Sequence, residues 1–233
     1  MASLDDDRRL DCVDAVLVDL GPDDEVDGEL RALRAALSMP TATVTVVLSR
    51  VQLFKAAEGL PPELAASRAT SRNDSFCQFV VRNEATLKVD DAAAERWLPR
   101  AFIDRYGVRS YLGAPLRYRG AVVGSVSVMG TAPRAFSDDD ARRVEAAAER
   151  VSARLEALRA RAELPERSPA ANRQELALVE VATLARLAMA GVDDAEFERG
   201  ARMLSEIEDS SYRYASAVAT LRGGARRLRG GEE

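Results

Sequence analysis

The chain has 233 residues, of which 47 % are apolar and 30 % charged, enough for one domain with an appendage or two small ones. Its 33 basic residues against 38 acidic ones leave a net charge of −5, which offers nucleic acid no electrostatic attraction. Histidine is absent, which excludes within this chain a Ser-His-Asp or Cys-His catalytic group, a His-ligated metal or haem, and a phospho-accepting histidine.

Two cysteines, Cys12 and Cys77, cannot make a zinc site alone, and their spacing gives no disulfide framework. No apolar run reaches the ~18 residues a membrane span needs. The start, Asp5-Asp6-Asp7, is acidic where a secretory signal is basic and then apolar. The expected address is the cytoplasm, with no membrane partner. Lys55 and Lys88 are the only lysines, a bias towards arginine that reads as genome composition.

In chain order, Val13, Val16, Leu17 and Leu20 repeat at helical spacing and predict a helix from Leu10 to about Leu20, interrupted by Gly21 and Pro22. Val26, Leu30, Leu33, Ala36 and Leu37 predict a second, from about Asp24 to Leu37, ended by Pro40. From Thr41 to Leu48 the period becomes two, with Ala42, Val44, Val46 and Leu48 on one face and three threonines opposite, which is a strand. A further strand is expected over Val51–Ala57. Pro61 and Pro62 then open a loop that runs to about Asn73.

Ser75–Arg82 reads as a short helix carrying Phe76, Phe79 and Val80, and Leu87–Val89 as a short strand. Asp90–Gly107 mixes loop with a short helix around Trp97. Strands Val108–Arg117 and Ala121–Met129 follow, joined through Tyr118-Arg119-Gly120 as a hairpin.

Ser137 is a suitable helix N-cap, and Asp138, Asp139 and Asp140 place negative charge at the positive pole of the helix dipole. Ala141, Val144, Ala148, Val151, Leu155, Leu158 and Ala162 then recur at alternating intervals of three and four, a heptad seam. Such a narrow stripe predicts a homodimer whose interface holds Val144, Ala148, Val151, Leu155 and Leu158.

Residues 164–171, with Pro165 and Pro169, read as a linker. Asn172 and Glu175 then fit a capping box that opens a helix apolar almost all round. Gly191 ends it and Asp193 caps another, whose apolar residues run from Phe197 to Leu221. Residues 172–229 are therefore expected to form a helical hairpin that packs on something, leaving residues 1–163 as the principal domain. The four arginines of Arg222–Arg229 read as the solvated basic end of a helix.

Helices followed by antiparallel strands make an α+β order, and here the residues also resemble a family, the GAF domains of bacterial signalling proteins. The resemblance lies in Gln52-Leu53-Phe54-Lys55-Ala56, Gly59-Leu60-Pro61, Ser75-Phe76-Cys77 and Val89-Asp90-Asp91-Ala92. It continues through Val108-Arg109-Ser110-Tyr111-Leu112-Gly113-Ala114-Pro115-Leu116, Gly120, Gly124-Ser125 and Pro133-Arg134-Ala135-Phe136-Ser137. It spans about residues 10 to 160 and rests on the order of the pieces, of which the block around Tyr111–Leu116 is the most specific. It implies a six-stranded antiparallel sheet with terminal helices on one face, a small-ligand pocket on the other, and dimerisation through those helices.

Specific absences disfavour the family's known ligands. Bilin carriers have a histidine beside the attachment cysteine, where this chain has Gln78 after Cys77. Haem binders need an axial histidine, and the Asn-Lys-Phe-Asp-Glu signature of cyclic-nucleotide binders has no counterpart. The GAF-type free methionine sulfoxide reductases use cysteines near the Cys77 position together with further thiols in the loop that corresponds to Asp90–Gly107, which holds none.

What remains is an aromatic cluster beside hydroxyls. Phe76, Cys77, Trp97, Phe102, Tyr106, Tyr111 and Ser125 are the candidate ligand-binding residues. The expected function is that of a non-catalytic regulatory or sensory protein, binding a small ligand or a partner protein and signalling through its helices, with no cofactor and no metal. Two alternatives stand beside it: a sulfoxide reductase using Cys77, and a structural adaptor in which the rings fill the pocket and the hairpin recruits another chain.

Overall fold

Six antiparallel strands form the middle layer of the molecule. The structure, a computed structural model, describes Leu4, residues 6–162 and residues 168–189. The strands are β1 (Thr41–Val47), β2 (Val51–Glu58), β3 (Ala69–Ser71), β4 (Leu87–Val89), β5 (Ser110–Tyr118) and β6 (Ala121–Gly130), in the order β3-β2-β1-β6-β5-β4. Every neighbouring pair is antiparallel. The first and last strands therefore lie side by side at the centre, and every residue of β1 is buried. Arg119 and Gly120 both take positive φ, +50° and +80°, which closes the β5–β6 hairpin with the turn that matches strand twist.

The helices are α1 (Asp7–Asp11), α2 (Ala15–Val18), α3 (Asp24–Ala36), α4 (Pro62–Ser67), α5 (Cys77–Asn83), α6 (Arg100–Tyr106), α7 (Asp138–Arg161) and α8 (Pro169–Met189). Period-two alternation gives the sheet two different faces. On one, Ala42, Val44, Val46, Leu112, Ala114 and Leu116 meet α3 and α7 in the larger core. On the other, Val47, Phe54 and Tyr111 meet α5 and α6 in a second apolar cluster with Phe76, Val80, Phe102 and Ile103.

Several expectations need correcting. The helix expected from Leu10 to Leu20 is two short helices, because the Asp14 carboxylate accepts from the Val16 amide, 3.0 Å, and starts a new helix. Asp6 caps α1, its side chain accepting from the Arg8 amide. The expected loop after Pro61 holds α4, with Pro62 at its first turn, and the edge strand β3. Ala69–Ser71 consists of small residues with no apolar alternation, unlike the equally short Leu87–Val89, so this strand left no pattern to read. The helix placed around Trp97 begins later, at Arg100.

The heptad seam of α7 is also reassigned. The capping box at Ser137 is present, but Val144, Val151 and Leu155 are 0 % exposed and Ala148 2 % within the single chain. They pack on the sheet, with Leu158 half-buried against the same core. A subunit interface must be open in the isolated subunit, and this stripe is not. Alternating steps of three and four describe a core-facing helix as well as a coiled coil.

Arginines on α7 tie it to the N-terminal elements: Arg150 to Glu29 at 2.9 Å, Arg154 to Asp23 at 3.0 Å, and Arg159 to Asp14 at 3.1 Å. Asp23 also caps α3 through the Val26 amide at 3.0 Å. Burial alone would push its carboxyl up, but the Arg154 guanidinium and the Val26 and Glu25 amides outweigh that and hold it below the usual carboxylate range. The stability this gives is complete above the unfolded value near 4 and is lost as pH falls through the lower native value. Asp23→Asn keeps the capping oxygen and discards the charge. It is expected to cost about 1–2 kcal/mol at pH 7, a difference that shrinks in denaturation curves taken progressively below about pH 4. An equal loss at every pH would assign the effect to the cap instead.

The expected capping box at Asn172 and Glu175 is not used. The helix starts at Pro169, and the Ser168 hydroxyl accepts from the Ala171 amide at 3.3 Å. Leu176 joins the larger core, so α8 packs on the same body as residues 6–162 and the boundary drawn at the expected linker does not separate two units. The second arm of the hairpin, Gly191 and the arginines after Leu221 lie outside the described residues, as does residue 164–167 of the linker. Among the described residues no helix is long and apolar enough to cross a membrane.

Candidate functional site

The sheet face opposite α7 is lined with hydroxyls. β1 presents Thr43 and Thr45, and β6 presents Ser125 and Ser127, opposite each other in the ladder. Thr43 Oγ1 and Ser127 Oγ are 2.9 Å apart, and Thr45 Oγ1 donates to the Ser125 carbonyl at 3.2 Å. All four residues are 0 % exposed, so each hydroxyl needs a protein partner or a bound one.

Tyr111, on β5, joins this row. Its ring lies along its own strand over Gly113, where a Cβ would sit 2.2 Å from the phenol oxygen. Glycine at that position is what allows the ring to lie flat. The phenol then donates to Cys77 Sγ at 3.4 Å and lies 3.2 Å from Ser125 Oγ. Burial drives the Tyr111 hydroxyl well above its ordinary pKa, with the Cys77 sulfur acting in the same direction. It is therefore a fixed, neutral hydrogen-bonding group and not a base.

Phe76 stands edge-on to Tyr111 with ring centroids 5.3 Å apart, and Phe102 lies 5.8 Å from Phe76. Such ring pairs add about 0.5–1.5 kcal/mol each beyond area burial. Tyr106 packs on Phe102 at 4.9 Å and is half-buried, so it forms the rim.

Of the seven candidates, the structure brings together Phe76, Cys77, Phe102, Tyr111 and Ser125, with Tyr106 beside them. Trp97 is outside. It is 50 % exposed, its indole N–H donates to Glu95 at 2.6 Å, and its ring stands edge-on to Phe79. An aromatic residue near others in sequence need not share their cluster, and Trp97 sits in a turn ahead of α6. Thr43 and Thr45 were missed as site residues. Their signal was present as the polar side of an alternating strand, which ordinarily faces water.

A second polar group adjoins the row. Ser75 donates to Gln52 on β2 and accepts from the Gln78 amide at 3.3 Å, while Gln78 Nε2 donates to the carbonyls of Asn73 and Ser75 at 3.0 and 2.9 Å. These bonds fix the entry to α5 and hence the position of Cys77.

The two thiols lie on opposite sides of the sheet. Cys77 is in the cluster with Phe76 and Tyr111, whereas Cys12 packs against the α3–α7 core with its Sγ towards the Arg8 and Arg119 carbonyls. They cannot act as a disulfide-forming pair in this fold.

Residues 22–155, more than half of the chain, match the family model of the GAF domain. The chain belongs to the GAF domain family. Its fold agrees with the GAF domain of a phosphoenolpyruvate-protein phosphotransferase from Coxiella burnetii, at TM-score 0.52 and 14 % identity, over 70 % of this chain and 100 % of that one. The corresponding domain from Acinetobacter gives TM-score 0.51 and 18 % identity with the same coverage. In sequence, the chain is 29 % identical over 147 residues to a cyclic di-GMP phosphodiesterase of Pseudomonas aeruginosa, over 61 % of this chain but only 24 % of that protein's length.

Proposed function

We propose that this chain is a regulatory GAF module that binds a small uncharged organic molecule, or a partner's side chain, on the hydroxyl-lined face of its sheet, and that it carries out no turnover of its own. The observation that supports this reading is the buried row of Thr43, Thr45, Ser125 and Ser127 beneath Tyr111 and Phe76. Hydroxyls on a sheet interior are costly unless paired, and apolar residues would stabilise the sheet more simply. A row of donors and acceptors able to exchange one another for a guest explains their presence. None of these side chains is charged, so an anionic ligand would find no counter-charge there.

The test is native mass spectrometry of freshly purified protein beside Ser125→Val and Tyr111→Phe. The expected result is a small-molecule adduct on the wild-type chain that both variants lose while remaining folded. A bare wild-type mass favours the adaptor reading. Reduction of free methionine sulfoxide with a thiol reductant, abolished by Cys77→Ser, would replace both with an enzyme.

A further inference from the structure

We propose that α8 is a detachable helix, positioned on the domain by an apolar strip and by two buried side chains that bond main-chain groups, and that it can leave as a unit while the sheet and α7 stay folded. The inference goes beyond the reading above and needs no ligand.

Asn172, Leu176 and Glu180 recur every four residues and so line one edge of α8. At one end, Asn172 Nδ2 lies 3.3, 3.4 and 2.9 Å from the carbonyls of Leu10, Asp11 and Val13. These carbonyls belong to the break between α1 and α2, where helical bonding stops. Eight residues on, Glu180 Oε1 accepts from the Arg50 amide at 2.6 Å. The turn between β1 and β2 supplies that amide, and those of Val51 and Ser49 favour the carboxylate in the same way. Both side chains are buried, at 7 % and 8 % exposure. Arg173 adds an exposed pair with Asp11 at 3.2 Å.

The partners are what make release inexpensive. A loop carbonyl or turn amide freed from α8 becomes accessible to water, which replaces the lost bond at small net cost. α8 lays Leu176, Val181 and Ala185 on the domain at 4–8 % exposure, with Val179, Leu184 and Leu187 half-buried against the larger core, and none of them lies under the middle of the sheet as the 0–2 % exposed residues of α7 do. On α7, by contrast, Val144, Ala147, Ala148, Val151 and Leu155 cover the sheet, and lifting that helix would open the core itself. Local opening follows this difference in buried apolar contact. Glu180 is the keystone: it is drawn to the turn by three amides, yet burial penalises its charge. The turn it holds is also continuous with β1, which carries Thr43 and Thr45, so helix docking and the hydroxyl-lined face meet on one strand.

Hydrogen–deuterium exchange on the full chain tests this, comparing wild type with Glu180→Ala and Asn172→Ala. In wild type, amides of residues 172–185 should exchange together and at least about tenfold faster than those of residues 144–155. Each variant should speed the α8 amides by about a further tenfold, the equivalent of one lost hydrogen bond, and leave α7, β1 and β6 unchanged. Exchange of α8 at the α7 rate in wild type would overturn the proposal. So would variants that accelerate both helices alike, that leave α8 unaffected, or that fail to fold, because each makes α8 either part of the core or held by something else.

Discussion

Gly124→Ala is expected to abolish the native sheet. A Cβ at Gly124 would stand 1.7 Å from the Thr45 carbonyl oxygen and 2.7 Å from its carbon, and both atoms are backbone of the central strand. No rotamer change relieves such a contact. β1 and β6 would have to separate where Val46 pairs with Gly124. The expected loss is on the order of 4 kcal/mol or more, a large share of the 5–15 kcal/mol typical of a domain, so far-UV circular dichroism at 37 °C should show a largely unfolded chain. Gly28→Ala is the control. Gly28 lies inside α3 with only Arg31 near, at 3.9 Å, and the substitution should stabilise by about 0.5–1 kcal/mol. A folded Gly124→Ala protein of near-wild-type stability would mean that the central strands are not paired in this register.

The second large effect is at Val151. In a subunit interface, Val151→Asp would give a folded monomer. Because Val151 is 0 % exposed in the α7–sheet core, the expected product is an unfolded chain, since an unpaired carboxylate there has no water and no partner. Val151→Ala separates the two cases without destroying the protein. It should cost about 2 kcal/mol, the same at every protein concentration, whereas a loss at a subunit interface diminishes as concentration rises. Self-association, if it occurs, must use a surface other than this seam.

Both residues show which parts of the fold were legible in the sequence. Long periodic elements were: α3, α7, β1, β2 and the β5–β6 hairpin fall within a few residues of their expected bounds, because repeated burial on one side leaves a regular imprint. Of the short ones, β4 and α5 were legible and others were not. α4 and β3 together span ten residues, and α1 and α2 were merged because Asp14 breaks the helix through a tertiary contact with Tyr118 and Arg159 as well as its own cap. Periodicity also reports that a face is buried without saying against what. That ambiguity turned a core helix into an expected interface.

In the candidate cluster, Phe76, Cys77, Tyr111 and Ser125 lie in the pieces that carry the family resemblance, which holds positional information that a single chain's pattern lacks, whereas Phe102 was legible only as an aromatic residue in the loop region between them. Thr43 and Thr45 were hidden because polar residues at alternate positions read as solvent-facing, and only a second layer of helices reverses that reading. Trp97 was overcounted for the opposite reason, since its size suggests burial and its turn places it outside.

The juxtaposition of β1 with β6 has a kinetic corollary. Residues about 80 positions apart in sequence must meet to close the middle of the sheet, and long-separation pairings are slow to form. During synthesis, β1 emerges with one long edge bare until β6 has left the ribosome, so for that interval the nascent chain displays an unprotected template for aggregation. Chaperone dependence should therefore be greatest for ribosome-bound chains that stop short of Ala121 and should fall once Gly130 is free to zip the two halves together.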